Sequence, residues 1–122
     1  MSTDSCPFCD LGSRIVAAND LAVAVRDLEP ASPGHTLIVP KRHCTSFFEL
    51  SPAEVEACYA LLRRERDSVT RERHPDGFNV GVNDGAAAGQ SVAHTHVHLI
   101  PRYKGDHPDS RGGVRHVIPT RR

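Results

Sequence analysis

His94-Thr95-His96-Val97-His98-Leu99-Ile100-Pro101 places a histidine at every second position and then closes on proline. Alternate side chains of a β-strand point the same way, so the three imidazoles are expected on one face, each about 7 Å from the next. Thr95, Val97 and Leu99 then line the other face and suit a buried sheet surface. Imidazole changes charge near neutral pH and serves as nucleophile, acid, base or metal ligand. As core residues, three imidazoles in a row would each need buried partners. As ligands of one ion, the outer two would stand about 14 Å apart along a strand, whereas ligand nitrogens on one ion lie a few ångström apart. Divided roles on an active-site strand fit best.

The residues leading into this stretch strengthen that reading. Asn83-Asp84-Gly85-Ala86-Ala87-Ala88-Gly89-Gln90-Ser91 is expected to be a flexible turn over 84–89, with glycines where backbone must approach a ligand closely. Successive N–H groups in such a turn form an anion-binding concavity. Asn83, Gln90 and Ser91 add neutral donors suited to phosphoryl oxygens. Beside three histidines, the loop reads as a phosphate site.

Working outward, 14–18 and 21–27 read as short strands joined by an Asn19-Asp20 turn, and 35–40 as a strand closed by Pro40. Between them, Glu29-Pro30-Ala31-Ser32-Pro33-Gly34 suits neither a helix nor an inner strand. Ser51-Pro52-Ala53-Glu54 is a helix start: serine caps, proline fits the first turn, and glutamate three residues on completes a capping box. Val55, Cys58, Leu61, Leu62 and Val69 continue at helical spacing, and the helix should end near His74, before Pro75. The run Arg63-Arg64-Glu65-Arg66-Asp67 reads as an exposed face of mixed sign. Strand 77–83 follows, and 111–119 reads as a last short extended segment. Strands, one long helix, then strands define an α+β fold with an antiparallel sheet and one covered face.

At 122 residues, the length suits one domain or one subunit of a small oligomer. Fifteen basic and fifteen acidic residues cancel, which gives no general bias toward nucleic acid or an anionic membrane. Arg121-Arg122 reads as a solvated tail. No apolar run approaches the roughly 20 residues that span a bilayer. The first residues lack the pattern of a signal peptide, so a cytoplasmic location is expected. A reducing compartment argues against pairing Cys6, Cys9, Cys44 and Cys58 as disulfides. Cys6-Pro7-Phe8-Cys9 has the gap of either a zinc knuckle or a redox pair, while Cys58 suits a buried helix position.

Two blocks together carry a family resemblance. Residues 89–100, Gly-Gln-Ser-Val-Ala-His-Thr-His-Val-His-Leu-Ile, resemble the signature of the histidine triad (HIT) family. Residues 33–43, Pro-Gly-His-Thr-Leu-Ile-Val-Pro-Lys-Arg-His, are similar to its upstream block, and the likeness runs from about Cys6 to Arg102. The resemblance implies a single HIT domain over 1–122, with about five strands, one long helix and a sheet continued across a homodimer. It implies a hydrolase or nucleotidyltransferase acting on a purine nucleotide of adenine type: a diadenosine polyphosphate, a nucleoside phosphoramidate or an acyl-adenylate. His96 would attack the α-phosphorus to give a nucleotidyl-histidine, with its other nitrogen held by the carbonyl of His94. His98 and His35 would support it. Asn83, Gly89, Gln90, Ser91 and His98 would bind phosphate, Gln90 with a share in catalysis, and Asp27 would accept the ribose hydroxyls.

The resemblance also assigns a structural zinc to Cys6, Cys9, His43 and His94, in a zinc-binding segment 1–13, with no organic cofactor. It lets Arg115 or His116, in a C-terminal tail over 103–122, contact a phosphate chain. Lys41, Arg102 and Lys104 are candidate contacts for a polyphosphate leaving group, whereas His74 and His107 sit in polar turns and need no role. Competing readings are a nucleotide-binding regulatory module with weak residual hydrolysis, and a zinc enzyme that uses the triad as ligands.

Overall fold

A computed structural model describes residues 5–119. The Arg121-Arg122 tail and the first four residues of the segment 1–13 lie outside the described residues. Five strands form one antiparallel sheet: β1 (Ile15–Ala18), β2 (Ala22–Arg26), β3 (Thr36–Pro40), β4 (Gly77–Gly81) and β5 (Val97–Arg102). Their spatial order is β1-β2-β3-β5-β4, so β4 lies at an edge and β5 lies inside. The helix α1 (Pro52–Arg73) connects β3 to β4.

The helix begins where its sequence dictates. The Ser51 hydroxyl accepts from the Glu54 amide, and the Glu54 carboxylate accepts in turn from the Ser51 amide. It ends at His74, whose left-handed backbone (φ 52°) precedes Pro75. Cys58 and Leu61 pack with Ala17, Ala22, Ala24, Ile38 and Val97 on one sheet face. Burial pushes the Cys58 thiol up to about 11, as befits a core filler.

Glu65 corrects the expectation of a uniformly exposed charge run. It is 3% exposed and meets Arg26 Nη1 at 2.7 Å, because it falls one turn from both Leu61 and Val69 on the sheet-facing side. Arg26 also donates to Thr36 Oγ1 at 2.7 Å. Val55, by contrast, is 38% exposed.

The expectation of a single covered face is also corrected. On the face away from α1, Val23, Val25, Leu37 and Val39 are buried under Leu11 and Phe8 of the N-terminal segment. His98 pairs with Leu37 of β3 and with Gly81 of β4, which puts its imidazole on this same face.

Three sequence expectations change in detail. Regular strand begins only at Val97, so His94 and His96 precede β5; His94 Nδ1 meets the Cys6 and Cys9 thiols, while the His96 ring stays 4.9 Å from that of His98. The stretch 111–119 is not extended: Gly113–Val117 forms 3-10 turns. The turn at 84–89 is pinned, because Asp84 accepts from Ser46 Oγ and the Phe47 amide, and Ala86–Ala88 is a 3-10 turn.

Candidate active site and metal centre

Chain segments far apart in sequence converge beneath the start of β5. Cys6 and Cys9 come from the N-terminal segment, His43 follows β3, and His94 precedes β5. Their four ligand atoms all lie within 4.8 Å of one another. His94 Nδ1 is 3.3 Å from Cys6 Sγ and 3.6 Å from Cys9 Sγ, and His43 Nδ1 is 3.3 Å from Cys9 Sγ. Tetrahedral zinc with ordinary Zn–S and Zn–N bonds spaces sulfur and nitrogen about 3.6 Å apart. The donor set therefore fits zinc in chemistry and in spacing. His94 Nε2 lies 2.7 Å from the Pro40 carbonyl. A carbonyl only accepts, so Nε2 carries the proton and Nδ1 keeps its lone pair toward the thiols.

The same logic fixes the next histidine. His96 Nδ1 lies 2.9 Å from the His94 carbonyl and must be its protonated nitrogen. In the neutral ring, Nε2 then holds a free lone pair. Phe8 meets this imidazole edge-on, with ring centres 4.9 Å apart and planes at 81°.

A proton chain orders the remaining pair. The Ala31 amide donates to His35 Nδ1 at 2.9 Å, so neutral His35 carries its proton on Nε2. That Nε2 donates to His98 Nδ1 at 2.9 Å, which leaves the His98 proton on Nε2, a buried donor with no partner among the described residues. Burial lowers the pKa of both rings, that of His98 to about 4; the charges of His96 and His35 push the same way at His98, and Asp27 opposes. Both rings are therefore neutral at pH 7.

A cavity of about 350 Å³ opens over these groups, a volume within the range of small-ligand sites. His96, His98, Asp27, Asn83, Gly89 and Ser91, all expected at the site, line it. His35 stands behind His98, and Asp27 Oδ2 lies 3.5 Å from His35 Nε2. Gly89 holds φ at 93°, a conformation that favours glycine at the cavity rim.

Gln90 is placed differently. Its Oε1 accepts from the Gly85 amide, and its Nε2 donates to the Thr45 and Val92 carbonyls. The amide braces the loop and does not line the cavity. Lys41 and Lys104 line no cavity with the histidines, and Arg102 is bound to Asp106 and Asn79. Arg115 is absent from both cavities at the histidines, while His116 donates from Nε2 to the Arg111 carbonyl. Sequence reasoning missed Phe8, Arg14 and Leu28, which also line the cavity. An aromatic between two clustered cysteines was the available signal for Phe8.

An antiparallel sheet with one long helix and a tautomer-locked histidine cluster over a cavity defines a class of small α+β proteins built around histidine chemistry. The HIT domain family model matches residues 10–105, and the chain belongs to the HIT family. It is 34% identical over 96 residues to the asymmetrical bis(5'-nucleosyl)-tetraphosphatase of Schizosaccharomyces pombe, covering 79% of this chain and 53% of that one. It is 39% identical over 88 residues to the adenylylsulfatase HINT3 of Arabidopsis thaliana, covering 72% and 45%. The chain thus spans about half the length of these two relatives. A zinc-bound histidine triad protein from Mycobacterium smegmatis superposes with a TM-score of 0.77 at 30% identity, covering 95% of this chain and 92% of that one.

Proposed function

We propose that residues 1–122 act as one HIT domain that hydrolyses or transfers the nucleotidyl group of a purine nucleotide through a covalent nucleotidyl-histidine. The observation that carries this reading is the His96 Nδ1 bond to the His94 carbonyl, which leaves Nε2 as a nucleophile needing no base. Nε2 attacks the α-phosphorus, the bond from phosphorus to the leaving group X breaks, and its electron pair departs with X. X takes a proton from solvent, and the attached ring carries one positive charge until water displaces it. The products are a nucleoside monophosphate, HX and neutral His96. His98 gives its unpaired Nε2–H to a phosphoryl oxygen, and Ser91 and the Gly89 backbone supply further donors. His35 fixes the His98 tautomer, Asp27 accepts the ribose hydroxyls, and Asn83 borders the phosphate. Gln90 positions the loop. The relatives' names, a tetraphosphatase acting on bis(5'-nucleosyl) compounds and an adenylylsulfatase, support nucleotides with adenine-type substrates first.

Cys6, Cys9, His43 and His94 would hold a structural zinc. Zinc in that set ties the N-terminal segment to the start of β5 and leaves no coordination position for substrate. A second copy would add to the open edge of β4, where Val80 is 45% exposed, and sedimentation equilibrium reads that dimer directly. No helix among the described residues is long and apolar enough to cross a membrane.

The test is release of nucleoside monophosphate from a diadenosine polyphosphate, an adenosine phosphoramidate and an acyl-adenylate, by wild type and by His96→Ala. Turnover of at least one by wild type, lost in the variant, is expected. Tight binding with no turnover of any would favour the regulatory module instead.

A further inference from the structure

The cavity over His96 and His98 has a charged far end that the phosphate chemistry does not use. Arg14, Leu28 and Glu29 line it there, beside Asp27. One row of paired residues crosses the sheet beneath, from His98 through Leu37 and Val25 to Ile15. Strands lie about 4.8 Å apart, so the backbone at Ile15 is about 14 Å from β5. Arg14 precedes Ile15 and rests Nη2 on the Arg26 carbonyl at 3.2 Å. That carbonyl ends β2, two strands and about 10 Å from β5. A guanidinium held there does not reach an α-phosphate at His96.

Both charges at this end are unspent. Arg14 and Glu29 form no ion pair with each other among the described residues, and Glu29 uses only its amide, on Asp27 Oδ1 at 2.9 Å. With Asp27 on the ribose hydroxyls, the base falls between these side chains, its flat face against Leu28, which is 75% exposed. Donors and acceptors then decide which base fits. Arginine only donates and ionised glutamate only accepts. Guanine presents O6 and N7 side by side as acceptors, and N1–H and N2–H side by side as donors. It can therefore take two bonds from the guanidinium and give two to the carboxylate. Adenine carries an N6 amino group in place of O6, which turns N–H toward N–H and leaves one bond to each side chain.

We propose that Arg14 and Glu29 read the base, and that this chain prefers guanine to adenine nucleotides. This rests on the reading that puts the α-phosphate at His96 and the ribose at Asp27, and it leaves the covalent step unchanged. The relatives' names rank adenine first; the walls of this cavity rank guanine above it.

The test compares kcat/KM for the 5'-phosphoramidates of guanosine, adenosine, inosine and 7-deazaguanosine, which share one leaving group. Inosine lacks the N2 donor that faces Glu29, and 7-deazaguanosine lacks the N7 acceptor that faces Arg14. In wild type, guanosine should exceed adenosine by at least about tenfold, and each analogue should fall at least about threefold below guanosine. Arg14→Met should erase the 7-deazaguanosine penalty and keep that of inosine, and Glu29→Ala should do the reverse. A smaller guanosine preference, or variants that slow all four substrates alike, overturns the proposal and leaves the nucleophile reading intact. If none of the four is turned over, the nucleophile reading fails, and calorimetry with the monophosphates still decides the base. GMP should bind at least about tenfold tighter than AMP. A smaller difference overturns the proposal.

Discussion

The backbone carbonyl of His94 accepts the Nδ1 proton of His96 at 2.9 Å, while the His94 imidazole sits between Cys6 and Cys9. One residue therefore joins the metal cluster to the nucleophile: its side chain faces the thiols and its main chain sets the tautomer of His96. Anything that shifts His94 disturbs both.

Cys6→Ser should accordingly lower zinc content and thermal stability together. A site filled far above its dissociation constant contributes about 3–4 kcal/mol, or roughly 10 °C of Tm for a domain of this size. Metal analysis and a melting curve check it; a chelated protein with an unchanged Tm contradicts the structural role.

Phe8 links the same cluster to the cavity, because it lies between the two cysteines and touches the His96 ring edge-on. Phe8→Leu should keep zinc and fold yet lower kcat several-fold and change the His96 ring nitrogen signals in NMR spectra of the free protein. Unchanged signals with only a higher KM would reduce Phe8 to a cavity wall.

His98 gives the pH prediction. Its pKa falls from 6.5 to about 4 on folding, so the unfolded chain binds more protons between those values. Stability from this group is complete above about pH 6.5 and is lost as pH falls toward about 4, by about 3 kcal/mol at most. His98→Asn should flatten this part of the curve in urea melts at stepped pH; an identical slope in wild type and variant would contradict it.

The Arg26–Glu65 pair tests the fold independently of the site. Glu65→Ala takes from Arg26 its buried partner but leaves it Glu72 at 3.7 Å and the Thr36 hydroxyl, and should cost about 1–2 kcal/mol. Arg26→Met with Glu65→Leu should recover most of that, since well-packed apolar residues often replace such pairs at little cost. Denaturant melts of the three proteins decide it.

Much of the site was legible because its chemistry is written locally. Alternating histidines, a Cys-x-x-Cys and a glycine-bounded loop each announce their residue types, and Ser51 to Glu54 announces a helix start within four residues. What was not legible depends on partners distant in sequence. Glu65 reads as surface until Arg26 is seen opposite it. Gln90 reads as a phosphate donor until the Thr45 and Val92 carbonyls claim its amide. The histidine stretch alternates like a strand throughout, yet the bonds of His94 to Pro40 and of Thr95 to Cys44 draw its first half out of the ladder. The tail reads as extended because its valines favour strands, but Gly112 and Gly113, both at positive φ, bend it into turns.

Removal of the nucleophile gives the kinetic prediction. His96→Ala should lower turnover by at least about 1,000-fold while nucleotide affinity changes only a few-fold, since the ring forms a bond instead of supplying ground-state binding. Single-turnover rates beside calorimetry would show it, and loss of binding in proportion to turnover would contradict it.

The most direct measurement is to mix the protein with an adenylate labelled at the α-phosphate, quench in alkali on the millisecond-to-second scale, and map the labelled peptide. The account predicts acid-labile, alkali-stable label on His96 that forms and decays within the catalytic cycle. Turnover without label on any histidine, or label on His98 in place of His96, would contradict it.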